Sequence, residues 1–193
     1  MGTIKTTNIE SISGSGTVTL GTSGETFTVP SGVTATGFNN PTFMAYRATS
    51  QSLTDNVSTK IEFATEKYDS DSTYDNSSNY RWTPGVAGKM CVYGNVGMYS
   101  GSAGDMVRIM IYKNGAYYSA NSRDYAGYDL KTSGVNNVFI SLVDDCSASD
   151  YYEIYARSNN TGGGAVTVDY NATSPYTFFG GYRIGTQWDQ LLK

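Results

Sequence analysis

The chain has 193 residues, a formal net charge of −4, 17 tyrosines and no histidine. This length accommodates one main domain with a short additional segment. Lys and Arg form no cluster, which argues against nucleic-acid binding, and the absence of histidine excludes catalytic triads and metal sites that need an imidazole.

Residues 1–37 differ in pattern from the rest of the chain. They begin without the apolar core of a signal peptide, and no later stretch is long enough to span a bilayer, so we expect synthesis in a cytoplasm and no membrane partner. Apolar residues are spaced among Thr, Ser and Gly in short strand-turn units. Because so small a segment cannot bury its apolar faces alone, we predict a β-rich attachment segment that pairs with copies of itself or with another protein.

A head domain is predicted over residues 38–185, followed by a C-terminal tail over residues 186–193. The boundary lies at residues 37–41, where Pro41 and the residue before it favour an extended link. Strand-like runs then recur at residues 43–48, 59–64, 87–93, 106–113, 116–122, 135–143, 151–158, 165–170 and 176–184. This number and spacing of short runs indicate an all-β sandwich or jelly roll.

Two of these runs alternate clearly between apolar and other residues, and each set of alternating residues is predicted to share one face of its strand. The sets are Val107, Ile109, Ile111 and Tyr152, Ile154, Ala156. Asn114-Gly115 stands between two runs and predicts a tight hairpin, because both residues tolerate positive φ.

The two cysteines, Cys91 and Cys146, can form at most one bridge within the chain. Cytosolic synthesis disfavours a bridge, so two small buried thiols are the preferred interpretation. The sequence supplies no distance between their Cα atoms, so a bridge stays open as the alternative.

Several short motifs occur in an order that resembles the trimeric jelly-roll domain shared by complement's globular heads and the tumour necrosis factor family. The motifs are Phe43-Met44-Ala45, Lys60-Ile61-Glu62-Phe63, Tyr68-Asp69, Tyr74-Asp75, Trp82-Thr83-Pro84, Ala87-Gly88-Lys89, Asn114-Gly115, Ser149-Asp150-Tyr151 and Phe178-Phe179-Gly180-Gly181. Met90 departs from the pattern, since that strand of the family usually carries Tyr or Phe there. Residues 16–26 resemble instead the N-terminal segments of bacteriophage fibre and virion proteins.

The resemblance implies a ten-stranded jelly-roll sandwich in which one sheet packs around a three-fold axis. Aromatic residues on the first, middle and last strands would then divide between the core and a homotrimer interface. These residues are Phe43, Tyr93, Phe178, Phe179 and Tyr182. The N-terminal segment would dock to other virion proteins, and the protein would be made in the host cytoplasm and reside in the virion.

The stretch 116–129 is the best ligand-binding candidate, because it combines rigid aromatic faces with groups that hydrogen-bond to sugar hydroxyls. The candidate residues are Tyr117, Tyr118, Asn121, Arg123, Tyr125 and Tyr128. The alternative for any one residue is a packed strand tyrosine or ordinary turn chemistry. A glycan on the surface of the host cell is the expected ligand.

Carboxylates in the predicted loops raise two further alternatives. Two carboxylates suffice for glycoside hydrolysis, and calcium takes oxygen ligands. The carboxylates are Asp69, Asp71, Asp75, Asp124, Asp129, Asp144, Asp145 and Asp150. The run 69–76 and the corner of Asp144-Asp145 near Asp150 are the two calcium candidates, but solvated caps and turn formers are the preferred interpretation of such loops, so no catalytic residue, metal or cofactor is assigned.

The sequence therefore predicts a non-enzymatic bacteriophage virion protein, a trimeric appendage of the tail-fibre or head-fibre type whose outward head binds a host glycan or receptor. The alternative is a capsid-decoration or tail structural protein without a receptor role. A carboxylate-based glycan depolymerase ranks third.

Overall fold

The structure is a computed structural model that describes residues 40–100, 106–118, 125–129, 134–160, 166–170 and 175–185. All regular secondary structure in these ranges is β-strand, which confirms the all-β prediction. No helix of this part of the chain is long and apolar enough to cross a membrane. The predicted segments 1–37 and 186–193 lie outside the described residues, so the domain boundaries stay predictions.

The described residues form fourteen strand segments, more than the ten predicted, and six of them are only two or three residues long. In chain order they are β1 (Thr42–Tyr46), β2 (Gln51–Leu53), β3 (Thr59–Lys60), β4 (Thr65–Asp69), β5 (Tyr74–Asp75), β6 (Arg81–Trp82), β7 (Gly88–Ser100), β8 (Met106–Lys113), β9 (Ala116–Tyr117), β10 (Tyr125–Asp129), β11 (Gly134–Cys146), β12 (Tyr152–Asn159), β13 (Val166–Val168) and β14 (Phe178–Gly185).

Two antiparallel sheets make up the sandwich. The first, here called the β7 sheet, has the order β2-β13-β7-β14-β1-β4, and β11 pairs with β7 along its whole length from Gly134 opposite Ser100 to Cys146 opposite Gly88. The second, called the β8 sheet, has the order β10-β8-β12-β6-β5, with β3 paired to β12 and β9 paired to β8. Sheets of this kind bury one face and leave the other outside, which matches the alternating burial along the strands.

The core lies between the two sheets, and both predicted alternating sets belong to it. Each of the six residues at 107, 109, 111, 152, 154 and 156 is fully buried, so the assignment of these faces is confirmed. The β7 sheet contributes Met90, Val92, Val96 and Met98 from β7 itself. Intervening residues on the same strands point away from the core, as the period of two requires.

Aromatic contacts join the two sheets at one end of this core. Phe43 of β1 stacks on Tyr74 of β5 with ring centroids 4.8 Å apart and an angle of 13° between the planes. Its ring also meets Phe179 of β14 edge-on at 4.8 Å and Trp82 of β6 at 5.0 Å. The polar atoms are satisfied, since Tyr74 donates to the Phe63 carbonyl at 3.1 Å and the Trp82 indole donates to Thr73 Oγ1 at 3.0 Å. Such buried pairs add to the stability that area burial alone supplies.

Gly180 and Gly181 leave space on both faces of β14. A Cβ at Gly181 would lie 2.4 Å from Trp82 Cζ3, and a Cβ at Gly180 would lie 2.4 Å from the Tyr93 ring. The two side chains therefore cover β14 from opposite sides, Trp82 in the core and Tyr93 on the outer face. The Gly-Gly pair is required by these close approaches.

The predicted Asn-Gly hairpin is confirmed. Asn114 and Gly115 have φ values of 55° and 75°, and β8 pairs with β9 directly across them. Positive φ at both central residues is the signature of the two-residue turn whose twist matches that of the flanking strands.

The two thiols are free, and their positions explain why. Cys91 of β7 lies opposite Val143 of β11. Val143 precedes Cys146 by three residues along the same strand. Because successive residues of a strand face opposite sides of the sheet, Cys91 is on the outer face and Cys146 is buried on the inner one. The bridge that the sequence left open is thereby excluded, and of the two buried thiols expected only Cys146 is buried.

Strand prediction was wrong in two kinds of place. The predicted strand 59–64 ends at Lys60, although Ile61 and Phe63 remain fully buried and the Ile61 amide donates to the Ile154 carbonyl at 2.9 Å. The segments β2, β4, β5, β6 and β10 were missed, because two to five residues without strict alternation of apolar and polar side chains show no clear periodicity. Of the predicted strand 116–122, residues 119–122 lie outside the described part.

We predict that Gly181→Ala lowers the free energy of unfolding by about 1–3 kcal/mol, because the new methyl group must displace the fully buried Trp82. Urea denaturation at one fixed protein concentration measures this. Gly180→Ala is the matched control and should cost less, since the ring it meets belongs to the half-buried Tyr93, which can move outward. Equal losses for the two variants would contradict the account of this strand.

Candidate functional sites

The outer face of the β7 sheet is unusually apolar. We call it the apolar face and define it by the outward residues of β7, β11 and β14. On β11, Val135, Phe139 and Val143 are 42%, 54% and 54% exposed, and they alternate with the buried Val138 and Ile140. The other large exposed members are Tyr99, Tyr182 and Ile184. Single exposed apolar residues need no explanation, but a contiguous set on three neighbouring strands indicates an interaction surface.

No charged residue interrupts the centre of the apolar face. Between its ends the outward positions of these three strands carry only apolar, glycine, hydroxyl, thiol and amide groups. The charged pair Lys89 and Asp145, 3.5 Å apart, lies at one end of the β7–β11 ladder. Depletion of charge at the centre with charge at the rim is the composition of protein–protein interfaces.

Tyr93 organises the middle of the apolar face. Its ring centroid lies 6.2 Å from that of Phe178 and 6.3 Å from that of Tyr182, and the ring lies over Gly180. Burial, followed by a hydrogen bond with Tyr68, raises the pKa of the Tyr93 phenol above its usual value. A hydrogen bond with Cys91 raises the pKa of Tyr182 in the same way. These phenols therefore stay neutral at physiological pH, which keeps the face uncharged.

The five residues predicted for the core or trimer interface occupy three environments. Phe43 and Phe179 are fully buried in the core, Tyr93 and Phe178 are half-buried on the apolar face, and Tyr182 is 44% exposed there. The last three therefore lie where a partner could contact them. Their assignment to a trimer interface stays a prediction.

The predicted ligand-binding residues are only partly within the described chain. Tyr117 is exposed on β9, with its ring 6.0 Å from that of Tyr112. Tyr118 follows β9 and donates a hydrogen bond to Asp144. Tyr125 and Tyr128 belong to β10, whose backbone pairs with β8. Asn121 and Arg123 lie outside the described residues, so the binding role of this group stays a prediction.

A charged network that the sequence did not reveal lies at the end of β8. Lys113 Nζ is 2.7 Å from Asp144 Oδ2 and 3.0 Å from Asp150 Oδ2, and Tyr118 and Tyr152 both donate hydrogen bonds to Asp144. Lys113 and Asp144 are 14% and 7% exposed, so water screens the pair little. Asp144 lies on β11 and Asp150 lies in the turn before β12, and no local sequence pattern places either of them beside Lys113.

Protonation states in this network follow from its contacts. Burial lowers the pKa of Lys113, but hydrogen bonds with Asp144 and Asp150 outweigh it and leave the pKa above the usual value. Burial raises the pKa of Asp150, but hydrogen bonds from Asn114, the Ser147 amide and Lys113 outweigh it, so the net pKa is lowered. Burial and Asp144 raise the pKa of Tyr118 to about 12. The network is thus a lysine cation held by carboxylates, with neutral phenols around it.

The first calcium candidate, the loop 69–76, uses its carboxylates as caps. Asp69 accepts from the Tyr74 amide at 2.7 Å and from the Thr73 hydroxyl at 3.1 Å. Asp75 accepts from the amides of Ser77, Ser78 and Asn79, and hydrogen bonds of this kind hold its pKa well below the usual range. Of the second candidate, Asp144 and Asp150 are bound by Lys113. Among the described residues, no group of three acidic or sulfur ligands could hold a metal ion.

Comparison with solved structures shows which fold this sandwich is. The globular domain of zebrafish complement 1qA superposes with a TM-score of 0.54 and 11% identity, over 76% of this chain and 99% of that one. Murine APRIL gives a TM-score of 0.54 with 10% identity, over 75% of this chain and 99% of that one. Eiger TNF from S. frugiperda gives a TM-score of 0.50 with 10% identity, over 80% and 97% of the two chains.

The sandwich is a complement-1q/TNF-like jelly roll. The predicted resemblance is therefore confirmed at the level of the fold. No protein-family model matches the chain, and no curated protein matches it by sequence. At 10–11% identity the comparison establishes the jelly-roll architecture and leaves function to be argued from the surface of this jelly roll.

We predict that Lys113→Met lowers the free energy of unfolding by about 3–5 kcal/mol, because it leaves the buried Asp144 without its cation. Chemical denaturation at pH 7 measures the loss. The matched control is Lys89→Met, whose lysine is 47% exposed and 3.5 Å from a carboxylate that is 71% exposed, so its removal should cost less than about 1 kcal/mol. Similar costs for both lysines would show that the network does not stabilise the fold.

Proposed function

We propose that this chain is a non-enzymatic virion protein that assembles as a homotrimer through the apolar face. The observation that carries the proposal is the contiguous set of exposed apolar residues on β7, β11 and β14, free of charge at its centre. Left in water, Phe139 and Val143, each 54% exposed, would contribute unfavourable apolar hydration, which association removes. A closed ring of three copies about an axis covers such a face on every subunit at once.

Two features of the chain support the proposed position on the particle. The jelly-roll head has the fold that the sequence pattern associates with the tips of virion appendages, and residues 16–26 resemble N-terminal segments of bacteriophage fibre and virion proteins. We infer that this N-terminal segment docks to other virion proteins while the head points outward. Three heads on one stem raise apparent affinity for a repetitive host glycan even when each site is weak.

A non-enzymatic role is supported by the use of the described carboxylates. Asp69 and Asp75 cap turns, and Asp144 and Asp150 neutralise Lys113. The similar structures are described as a complement protein, APRIL and a TNF, and none of these descriptions names an enzyme. A glycan depolymerase would release new reducing ends from host polysaccharide, and we expect the purified protein to release none.

Competition for adsorption tests the receptor-binding part of the proposal. Host cells are incubated with purified protein, the parent phage is added, and unadsorbed phage are counted. We expect free phage to increase with protein concentration. A folded trimer that blocks no adsorption would favour the second candidate, a capsid-decoration or tail structural protein, for which the apolar face would serve equally well. Particles that lack the protein would then adsorb normally but lose stability.

We predict that Phe139→Asp converts the trimer into a folded monomer, because it introduces three buried, unpaired carboxylates where copies meet. Sedimentation velocity measures the mass, and far-UV circular dichroism confirms the fold. Val57→Asp is the matched control: Val57 is 49% exposed but follows β2 in a loop outside the apolar face, so this variant should remain trimeric. Retention of the trimer by Phe139→Asp would show that another surface holds it together.

A further inference from the structure

A polar side chain lies in the middle of the apolar face, at Asn95 of β7. In the antiparallel ladders, Asn95 is the direct partner of Phe139 on β11 and of Phe178 on β14. One row across three neighbouring strands therefore consists of an asparagine between two phenylalanines. Phe139 is 54% exposed and Asn95 is half-buried, so a second copy of the chain that covers this row also covers the amide.

Two hydrogen bonds within the chain hold the Asn95 amide. Its Nδ2 donates to Asn137 Oδ1 at 3.1 Å and to the Tyr176 carbonyl, so both of its hydrogens are used. Because a backbone carbonyl can only accept, the contact with Tyr176 fixes which side of the amide is the nitrogen. Within the described ranges, no donor is hydrogen-bonded to Asn95 Oδ1. This oxygen is therefore the group that a neighbouring copy has to satisfy.

The segment that accepts from Asn95 is itself held in place. The Tyr176 hydroxyl donates to Asp169 Oδ2, and the Tyr176 ring lies over Gly97, where a Cβ would be 2.5 Å from Cε2 of the ring. Thr177 Oγ1 accepts from the Gly97 amide at 3.0 Å and donates to the Asp169 carbonyl at 2.7 Å. These contacts fix the chain before β14 against β7, so the Asn95 amide is presented in one orientation.

Association through the apolar face removes water from Asn95 Oδ1. A buried polar group without a hydrogen bond costs roughly 5- to 150-fold in an equilibrium constant. Every copy in a symmetric assembly repeats this cost, so an arrangement that supplies a donor is strongly preferred to one that does not. The apolar contacts around the amide discriminate little between arrangements, because hydrophobic attraction has no direction.

We propose that Asn95 selects the number of copies that associate through the apolar face. Its side-chain oxygen accepts a hydrogen bond from a neighbouring copy in one closed arrangement, and other arrangements leave it buried without a donor. Exposed phenols of the same face, such as Tyr99 and Tyr182, are donors of the required kind. A single asparagine in an apolar coiled-coil seam has the same effect, at a cost in stability. The inference rests on the proposed self-association and adds to it the residue that sets the copy number.

Native mass spectrometry of the full-length protein tests this role through the variant Asn95→Leu, which replaces the amide by an apolar group of similar size. We expect the wild-type protein to give one species of three copies. The variant should add species of two and four copies, and it should dissociate at a concentration no higher than the wild-type protein does. A variant that forms three copies only, or that falls apart to monomers, would overturn the proposal.

The matched control is Asn159→Leu, the same substitution outside the apolar face. Asn159 is the exposed last residue of β12, on the other sheet. We expect this variant to form three copies only, like the wild-type protein. Mixed copy numbers in the control would show that any added leucine produces them, and the assignment to Asn95 would be wrong.

Far-UV circular dichroism checks that the Asn95→Leu variant is folded before its mass is interpreted. If leucine prevents folding, Asn95→Met repeats the measurement, because the flexible methionine side chain adapts to irregular space. The expected result is the same mixture of copy numbers. A folded Asn95→Met variant with three copies only would overturn the proposal.

The mass of the wild-type protein separates this inference from the proposed function. A wild-type protein that stays monomeric would reject self-association through the apolar face, and the role of Asn95 with it. A wild-type protein of three copies, together with an Asn95→Leu variant of three copies only, would reject the role of Asn95 and leave self-association standing.

Discussion

The packing of two aromatic side chains on opposite sides of β14 is the constraint on which the rest of the structure depends. Trp82 and Tyr93 approach this strand so closely that a side chain at Gly181 or Gly180 would have to displace one of the two rings. On the inner side, Trp82 joins the aromatic cluster around Phe43 that holds the two sheets together. On the outer side, the Tyr93 ring fills the centre of the apolar face. The same two glycines therefore stabilise the sandwich and flatten the surface that we assign to self-association.

The two outer faces of the sandwich differ in chemistry, and this difference divides their proposed roles. The outer face of the β7 sheet has an uncharged centre of apolar and phenolic groups, as interfaces between copies require. The outer face of the β8 sheet instead carries Arg108 opposite Arg157 and the stacked rings of Tyr112 and Tyr155. Because the faces point in opposite directions, assembly through one leaves the other exposed. In the proposed trimer, three copies of that face would be available for multivalent contact.

Local pattern predicted much of the fold but few of the sites. The alternation around Ile109 and Ile154 and the turn at Asn114 depend on residues near one another in sequence. The sequence alone therefore predicted them. The order of aromatic and glycine motifs carried the resemblance that predicted the jelly roll. The Lys113 network and the Arg108–Arg157 pair could not be predicted, because each joins strands whose register is set only by the folded sheet. Short strand segments were missed because they are too short to show a hydrophobic periodicity.

The mass of the wild-type protein in solution tests the central claim most directly. Native mass spectrometry or multi-angle light scattering at micromolar concentration reports it without any variant. The account predicts a single species of three times the 20.8 kDa chain mass, because the apolar face should not remain in water. A stable, well-folded monomer at that concentration would contradict the account, since an uncovered face with Phe139 and Val143 exposed would then be the native state.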